Sequence, residues 1–105
     1  DRAAPMLASF LKRYPTSGYV DSARYWLGNA QYGQRQYKDA IATFRGFVTA
    51  APDHLRAPEA LLALANCQAE LKDNKGAKKT LDELIKQYPK SEAAQAGRER
   101  IASLK

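Results

Sequence analysis

The amino-acid sequence predicts an all-α fold, with about six antiparallel helices stacked as helical hairpins into a short solenoid. Three observations predict it. Apolar residues recur at helical spacing in successive segments, and no segment sustains the two-residue alternation of a strand. The same parts return at a spacing of 37 residues in five registers: Pro15, Pro52 and Pro89; Leu27, Leu64 and Ile101; Gly28, Ala65 and Ala102; Ala3, Ala40 and Ala77; and Leu7, Phe44 and Leu81. Prolines and capping residues fall between the segments, where they end one helix and start the next.

The elements follow in order. Residues 3–13 read as a helix, with Ala3, Leu7, Phe10 and Leu11 on one face and Pro5 in the first turn. Tyr14-Pro15 stops it, because the residue before proline is pushed out of the α region. Asp21 or Ser22 caps a second helix, with Tyr19 as a hydrophobic staple. That helix reaches Gly33, which suits the C-terminal turn, and carries Ala23, Trp26, Leu27 and Ala30 on its apolar side. A third spans 37–50, with Tyr37, Ala40, Ile41, Phe44, Phe47 and Val48 in a wide apolar stripe. After a loop from Asp53 to Ala57, Pro58 opens a fourth, whose core face is Ala60, Leu61, Leu64, Ala65 and Leu71. Asp73 and Asn74 supply a turn and a cap. A fifth helix, about 75–87, carries Ala77, Leu81, Leu84 and Ile85 and ends at Tyr88-Pro89. Ser91 caps the last, to about Leu104, with Ala94, Gly97, Ile101 and Leu104 facing in and a polar outer side suited to a terminal cap. The predicted organisation is one domain: a half repeat 1–15, repeats 19–52 and 56–89, and a capping helix 91–104.

Small residues recur for a reason. Two helices close to about 8 Å only where a side chain is nearly absent. Gly28, Ala65 and Ala102 are predicted at one such crossing, with Ala40 and Ala77 facing it. Glycine inside a helix costs roughly 1 kcal/mol relative to alanine, so Gly28 implies a contact too tight for a methyl group.

Composition narrows the function. Apolar residues at 45% and charged residues at 27% describe a globular chain. No apolar run is long enough to insert in a membrane. The chain opens at Asp1 without an initiator Met, as expected of a mature form or a fragment. The net charge of +6 comes from scattered residues, densest at Lys72, Lys75, Lys78 and Lys79. No basic block or nucleic-acid motif accompanies it, so no nucleic-acid partner is expected. The single cysteine, Cys67, excludes an internal disulfide; it aligns with Ala30 and is expected in a small buried slot. His54, in a loop, lacks metal-ligand spacing to Cys67 and reads as a lone surface histidine. Asp82 and Glu83 are adjacent and point apart on a helix, so they form no acid/base pair. No phosphate-binding glycine loop is present. Catalysis, metal and cofactor are therefore not expected, and the chain reads as an interaction protein.

Leu27-Gly28, Ala40-x-x-x-Phe44 and Pro52 resemble the tetratricopeptide repeat, whose pattern is W-x2-L-G-x2-Y, then A-x3-F, then P, with a period of about 34 residues. Arg24 and Gln31 stand where Trp and Tyr are usual, and the extra length falls in the loops after each proline. The resemblance implies a right-handed superhelix. Longer runs are similar to the C-terminal domains of the CpoB (YbgF) family: Tyr14-Pro15-Thr16-Ser17-Gly18-Tyr19, Ala23-Arg24-Tyr25-Trp26-Leu27-Gly28, Arg56-Ala57-Pro58-Glu59-Ala60-Leu61-Leu62, and Gln87-Tyr88-Pro89-Lys90-Ser91-Glu92-Ala93-Ala94. That resemblance implies a periplasmic domain of the Tol–Pal system that binds TolA. It would coordinate peptidoglycan synthesis with outer-membrane constriction at cell division. Family members trimerise through an N-terminal coiled coil, which this sequence lacks, and act with the peptidoglycan synthase machinery directly or indirectly. The chain begins at the second helix of a repeat, so the apolar side of residues 3–11 is expected to be partly exposed and to support self-association. The alternatives are a repeat lipoprotein of outer-membrane protein assembly, which shares the Tyr-Pro-x-Ser connections, and, ranked below it, a basic nucleic-acid-binding helical domain.

In a solenoid of helix pairs the first helix of each pair lines the inner surface. The candidate contacts there are Ser22, Tyr25, Asn29 and Tyr32 on the second helix and Glu59, Leu62, Asn66 and Glu70 on the fourth. Asn29 and Asn66 are 37 apart, and an amide can donate to and accept from a peptide backbone at once. Tyr25 and Tyr32 are expected to be exposed and to favour an interface. Trp26 is expected in the hairpin core.

Overall fold

The computed structural model describes residues 20–104. Within them lie five helices: α1 (Val20–Gly33), α2 (Tyr37–Ala50), α3 (Ala57–Glu70), α4 (Asn74–Gln87) and α5 (Glu92–Ser103). No strand occurs among the described residues. The helix expected at residues 3–13, with its place in the repeat and its proposed self-association face, lies outside them. Helices α1 and α2 form one antiparallel hairpin and α3 and α4 the next, and α5 packs on both helices of the second.

The spacing of 37 is written into the backbone as well as the side chains. Arg35 and Lys72 both take the left-handed conformation, with φ of 64° and 67°. At the first turn Gln36 N–H donates to the Gln31 carbonyl at 2.8 Å and Arg35 N–H to that of Tyr32 at 2.9 Å. At the second, Asp73 N–H donates to Gln68 at 2.9 Å and Lys72 N–H to Ala69 at 3.0 Å. These paired bonds are the Schellman closure, which satisfies the last carbonyls of a helix. The sequence suggested Gly33 for this role. Gly33 is instead the last helical residue, and the left-handed position falls two residues later.

Part-buried polar pairs repeat too. Thr43 Oγ1 donates to Gln31 Oε1 at 2.6 Å, and Thr80 Oγ1 to Gln68 Oε1 at 2.7 Å. Each ties the second helix of a hairpin to the first. Gln31 occupies the site where the repeat pattern has Tyr, so the threonine–glutamine bond replaces an aromatic contact. Two of the predicted caps form: Asp73 accepts from Gly76 N–H and Ser91 from Ala94 N–H, each at 3.0 Å. Asp21 and Ser22, also predicted as caps, instead lie inside the first turn of α1, which begins at Val20.

The core is continuous through both hairpins, with Phe44, Phe47, Leu61, Leu64, Leu81, Leu84 and Cys67 fully buried. A methyl group built on Gly28 would lie 2.6 Å from Phe44 Cε1, so the first crossing is as tight as the sequence implies. One repeat on, Ala65 and Leu81 are both buried in the same core. The smaller partner thus tolerates a methyl. The third copy departs from expectation. Ala102 is exposed, because no described helix follows α5 to cover it. Gly97 makes the close approach instead, where an added Cβ would sit 3.1 Å from Leu84 Cδ2. Leu71 was also expected in the core but is 40% exposed, since it lies just past the end of α3.

Candidate functional site

The first helices touch their neighbours: α1 meets α3, and α3 meets α5. The second helices, α2 and α4, are joined instead by the Arg45–Glu83 ion pair, with bonds of 2.9 and 3.2 Å. The first-helix side is therefore the narrower, inner side. All eight sequence-predicted contact residues lie on α1 and α3, and most of them fall into two clusters.

The first cluster gathers Ser22, Tyr25 and Glu59 at the N-terminal ends of α1 and α3. Tyr25 is buried, at 7% exposure, which corrects the expectation that it is free on the surface. Its ring lies 5.6 Å from that of Phe47 and 6.2 Å from that of Phe44. Its hydroxyl donates to Glu59 Oε2 at 3.0 Å, and Arg56 donates to the same oxygen at 2.9 Å. The Arg56 hydrogen bond, with that of Tyr25 behind it, holds the Glu59 carboxyl below its ordinary range. Burial pushes the Tyr25 hydroxyl above its ordinary value; Asn29, one turn on, opposes the shift and Glu59 adds to it.

His54 belongs to this cluster and is not the lone surface residue predicted. Its ring stands edge-on to Phe47 at 4.9 Å. Its Nδ1 accepts from Arg56 N–H at 3.0 Å, so Nε2 carries the hydrogen and faces Ser22 Oγ at 3.5 Å. Of the loop residues that follow Pro52, His54 is thus packed against the hairpin, whereas Asp53 and Leu55 are exposed.

The second cluster lies at the C-terminal ends. Tyr32 is half-buried, 5.8 Å edge-on to Tyr37. Burial chiefly raises its hydroxyl, with Cys67 and Glu70 adding to the shift and Arg100 opposing it. Glu70 of α3 and Arg100 of α5 thus both act electrostatically on the Tyr32 hydroxyl of α1. Cys67 beneath them is fully buried, and burial pushes its thiol up to about 11. Leu62 is half-buried against the core, and Asn66 is half-buried between the clusters.

Trp26 corrects the sequence reading in the opposite direction: it is 51% exposed. Its ring stands 5.1 Å from that of Tyr25, and the Arg56 guanidinium lies 6.0 Å from its centroid. The error is one residue, about 100° of helix rotation. The repeat held the missing signal. Tyr25 aligns with the apolar Leu62, whereas Trp26 aligns with Ala63 and Arg100. The last of these, Arg100, was missed altogether. Among the described residues no group of three His, Cys, Asp or Glu side chains could hold a metal, and no helix is long and apolar enough to cross a membrane.

A family model of the tetratricopeptide repeat matches residues 32–101, and a second model of the same repeat matches residues 1–54. The chain belongs to the tetratricopeptide-repeat family. Among curated proteins, none matches it. Tetratricopeptide-repeat domains are typically protein-interaction scaffolds, and the stacked first helices of such a solenoid form a concave binding surface.

Proposed function

We propose that this tetratricopeptide-repeat domain is a periplasmic interaction module of the Tol–Pal system that binds TolA through its first-helix face. In that role it couples peptidoglycan synthesis to outer-membrane constriction at division. The observation that carries the reading is the pair Asn29 and Asn66, equivalent by the repeat and half-exposed on neighbouring helices. Two amides in a row along one face can meet successive peptide groups of an extended segment. The Tyr-Trp-Leu-Gly and Ala-Pro-Glu-Ala-Leu-Leu runs, similar to CpoB-family domains, support TolA as the partner and the periplasm as the compartment. The same likeness supports a trimeric coiled coil and the peptidoglycan synthase machinery as further parts of the proposed assembly. An immobilised chain exposed to periplasmic extract of a Gram-negative bacterium retains TolA on this reading. Retention of outer-membrane assembly proteins without TolA would replace it with the scaffold alternative.

A further inference from the structure

Charge is spread unevenly along the chain. Residues 72–90 hold six lysines against Asp73, Asp82 and Glu83, a net of +3, whereas the other described residues hold seven cations and seven anions. Two of the three acids are already engaged. Asp73 caps α4 through Gly76 N–H, and Glu83 is paired with Arg45. None of the six lysines forms an ion pair among the described residues.

The geometry of α4 lines these lysines up. Lys75, Lys79, Asp82 and Lys86 stand at i, i+4, i+7 and i+11, so they share one ridge about 16 Å long. All four are exposed, while Ala77, Leu81 and Leu84 turn the opposite side of the helix into the core. Lys72 and Lys90, both exposed, stand in the turns at its two ends. The choice of lysine is informative. A guanidinium matches a fixed pair of oxygens, whereas an ammonium is a point charge on a flexible stem. Arg24, Arg45 and Arg56 are each set against one carboxylate, and residues 72–90 contain no arginine. Such a ridge suits a target whose anions are many and not fixed in place.

One end of the ridge adds an apolar side chain. Leu71 is 40% exposed and lines a surface cleft with Arg35 and Lys38, where Asp39 is the one acid. Arg35 and Lys38 lie one period before Lys72 and Lys75, and neither forms an ion pair among the described residues. An exposed leucine beside several cations matches the surface of a bilayer, where an apolar group sinks below the headgroups and cations stay at the phosphates. The exposed residues of 71–90 include no aromatic ring on which a base could stack, which disfavours single-stranded nucleic acid.

We infer that the α4 ridge and the Leu71 turn form a docking surface for an anionic phospholipid bilayer, on which the domain lies without crossing it. Helix α1 makes no contact with α4, so the first-helix face stays open to a protein partner while the ridge is on the lipid.

Co-sedimentation of the whole chain with vesicles tests this. Vesicles of phosphatidylcholine with about one-third phosphatidylglycerol retain the chain, and vesicles of phosphatidylcholine alone do not. Raising the salt from about 0.1 M to about 1 M, which shortens the screening length from about 10 Å to about 3 Å, releases most of it. Lys79→Gln/Lys86→Gln weakens binding at least about tenfold. Arg24→Gln/Arg98→Gln, of the same net charge, stays within about twofold of the native chain. Leu71→Ser weakens binding about threefold or more at unchanged charge. Emission of the single tryptophan, Trp26 on α1, does not shift. Equal binding to neutral vesicles, equal loss in the two glutamine pairs, or a blue shift of Trp26 overturns the inference. Tighter binding to a single-stranded oligonucleotide or to polyglutamate, lost in the same lysine pair, overturns the bilayer as the occupant.

Discussion

Replacing Gly28 with Ala places a methyl group between 2.6 and 2.9 Å from three ring carbons of Phe44. Carbon atoms rest at about 3.5–4.0 Å, so the ring must retreat by about 1 Å. It has nowhere to go, because Phe44 is fully buried with Tyr25 beside it. Overpacking of this kind costs about 1–3 kcal/mol, partly offset by about 1 kcal/mol of improved helix propensity. Gly46 supplies the control. It too lies inside a helix, but an added methyl there has no neighbour within 4 Å. Gly46→Ala therefore gains about 1 kcal/mol with no clash. The propensity term cancels in the difference, leaving Gly28→Ala about 1–3 kcal/mol less stable than Gly46→Ala. Chemical denaturation at constant m reads this directly. Gly28→Val widens the gap, and Phe44→Leu in the Gly28→Ala background narrows it by opening the room that Ala65 and Leu81 already have. Equal stability of the two alanine variants would refute the crossing.

Three further outcomes follow from the repeat. Lys72→Gly relieves a left-handed backbone at the α3 terminus and raises stability by about 0.5–1 kcal/mol in the same denaturation assay. Thr80→Val strands the Gln68 acceptor and costs about 1–3 kcal/mol, whereas the Thr80→Val/Gln68→Leu double variant recovers most of the loss. The Cys67 thiol, pushed up to about 11 by burial, stabilises the fold fully below its ordinary value of 9 and loses that contribution as pH rises through about 11. Denaturation from pH 8 to 11 shows a steeper decline in the native chain than in Cys67→Ala.

The helices were largely legible because their signals are local and redundant. Pro52, Pro58 and Ser91 mark boundaries by chemistry that needs no tertiary context, and Phe44 and Leu81 declare one face by period alone. The turns were less so. A reader of sequence assigns a left-handed position to Gly33, yet Arg35 holds it, because the Schellman bonds to Gln31 and Tyr32 over-determine the backbone there. The inner face was misread by a single residue at Tyr25 and Trp26. Amphipathic rings fit either side of a helix. What decides between them is the pair Glu59 and Arg56, which reach Tyr25 from another hairpin. His54 was invisible for the same reason, since its partners Phe47 and Ser22 are brought to it only by the fold.

A calorimetric titration with the soluble periplasmic part of TolA tests the proposed first-helix binding face most directly. The prediction is a Kd in the micromolar range, about −8 kcal/mol. Asn29→Ala/Asn66→Ala weakens it at least about tenfold while leaving the unfolding transition unchanged, and Lys75→Ala/Lys79→Ala on the outer side of α4 leaves it within about twofold. Absence of binding, or binding lost on the lysine side and kept on the asparagine side, would contradict the account.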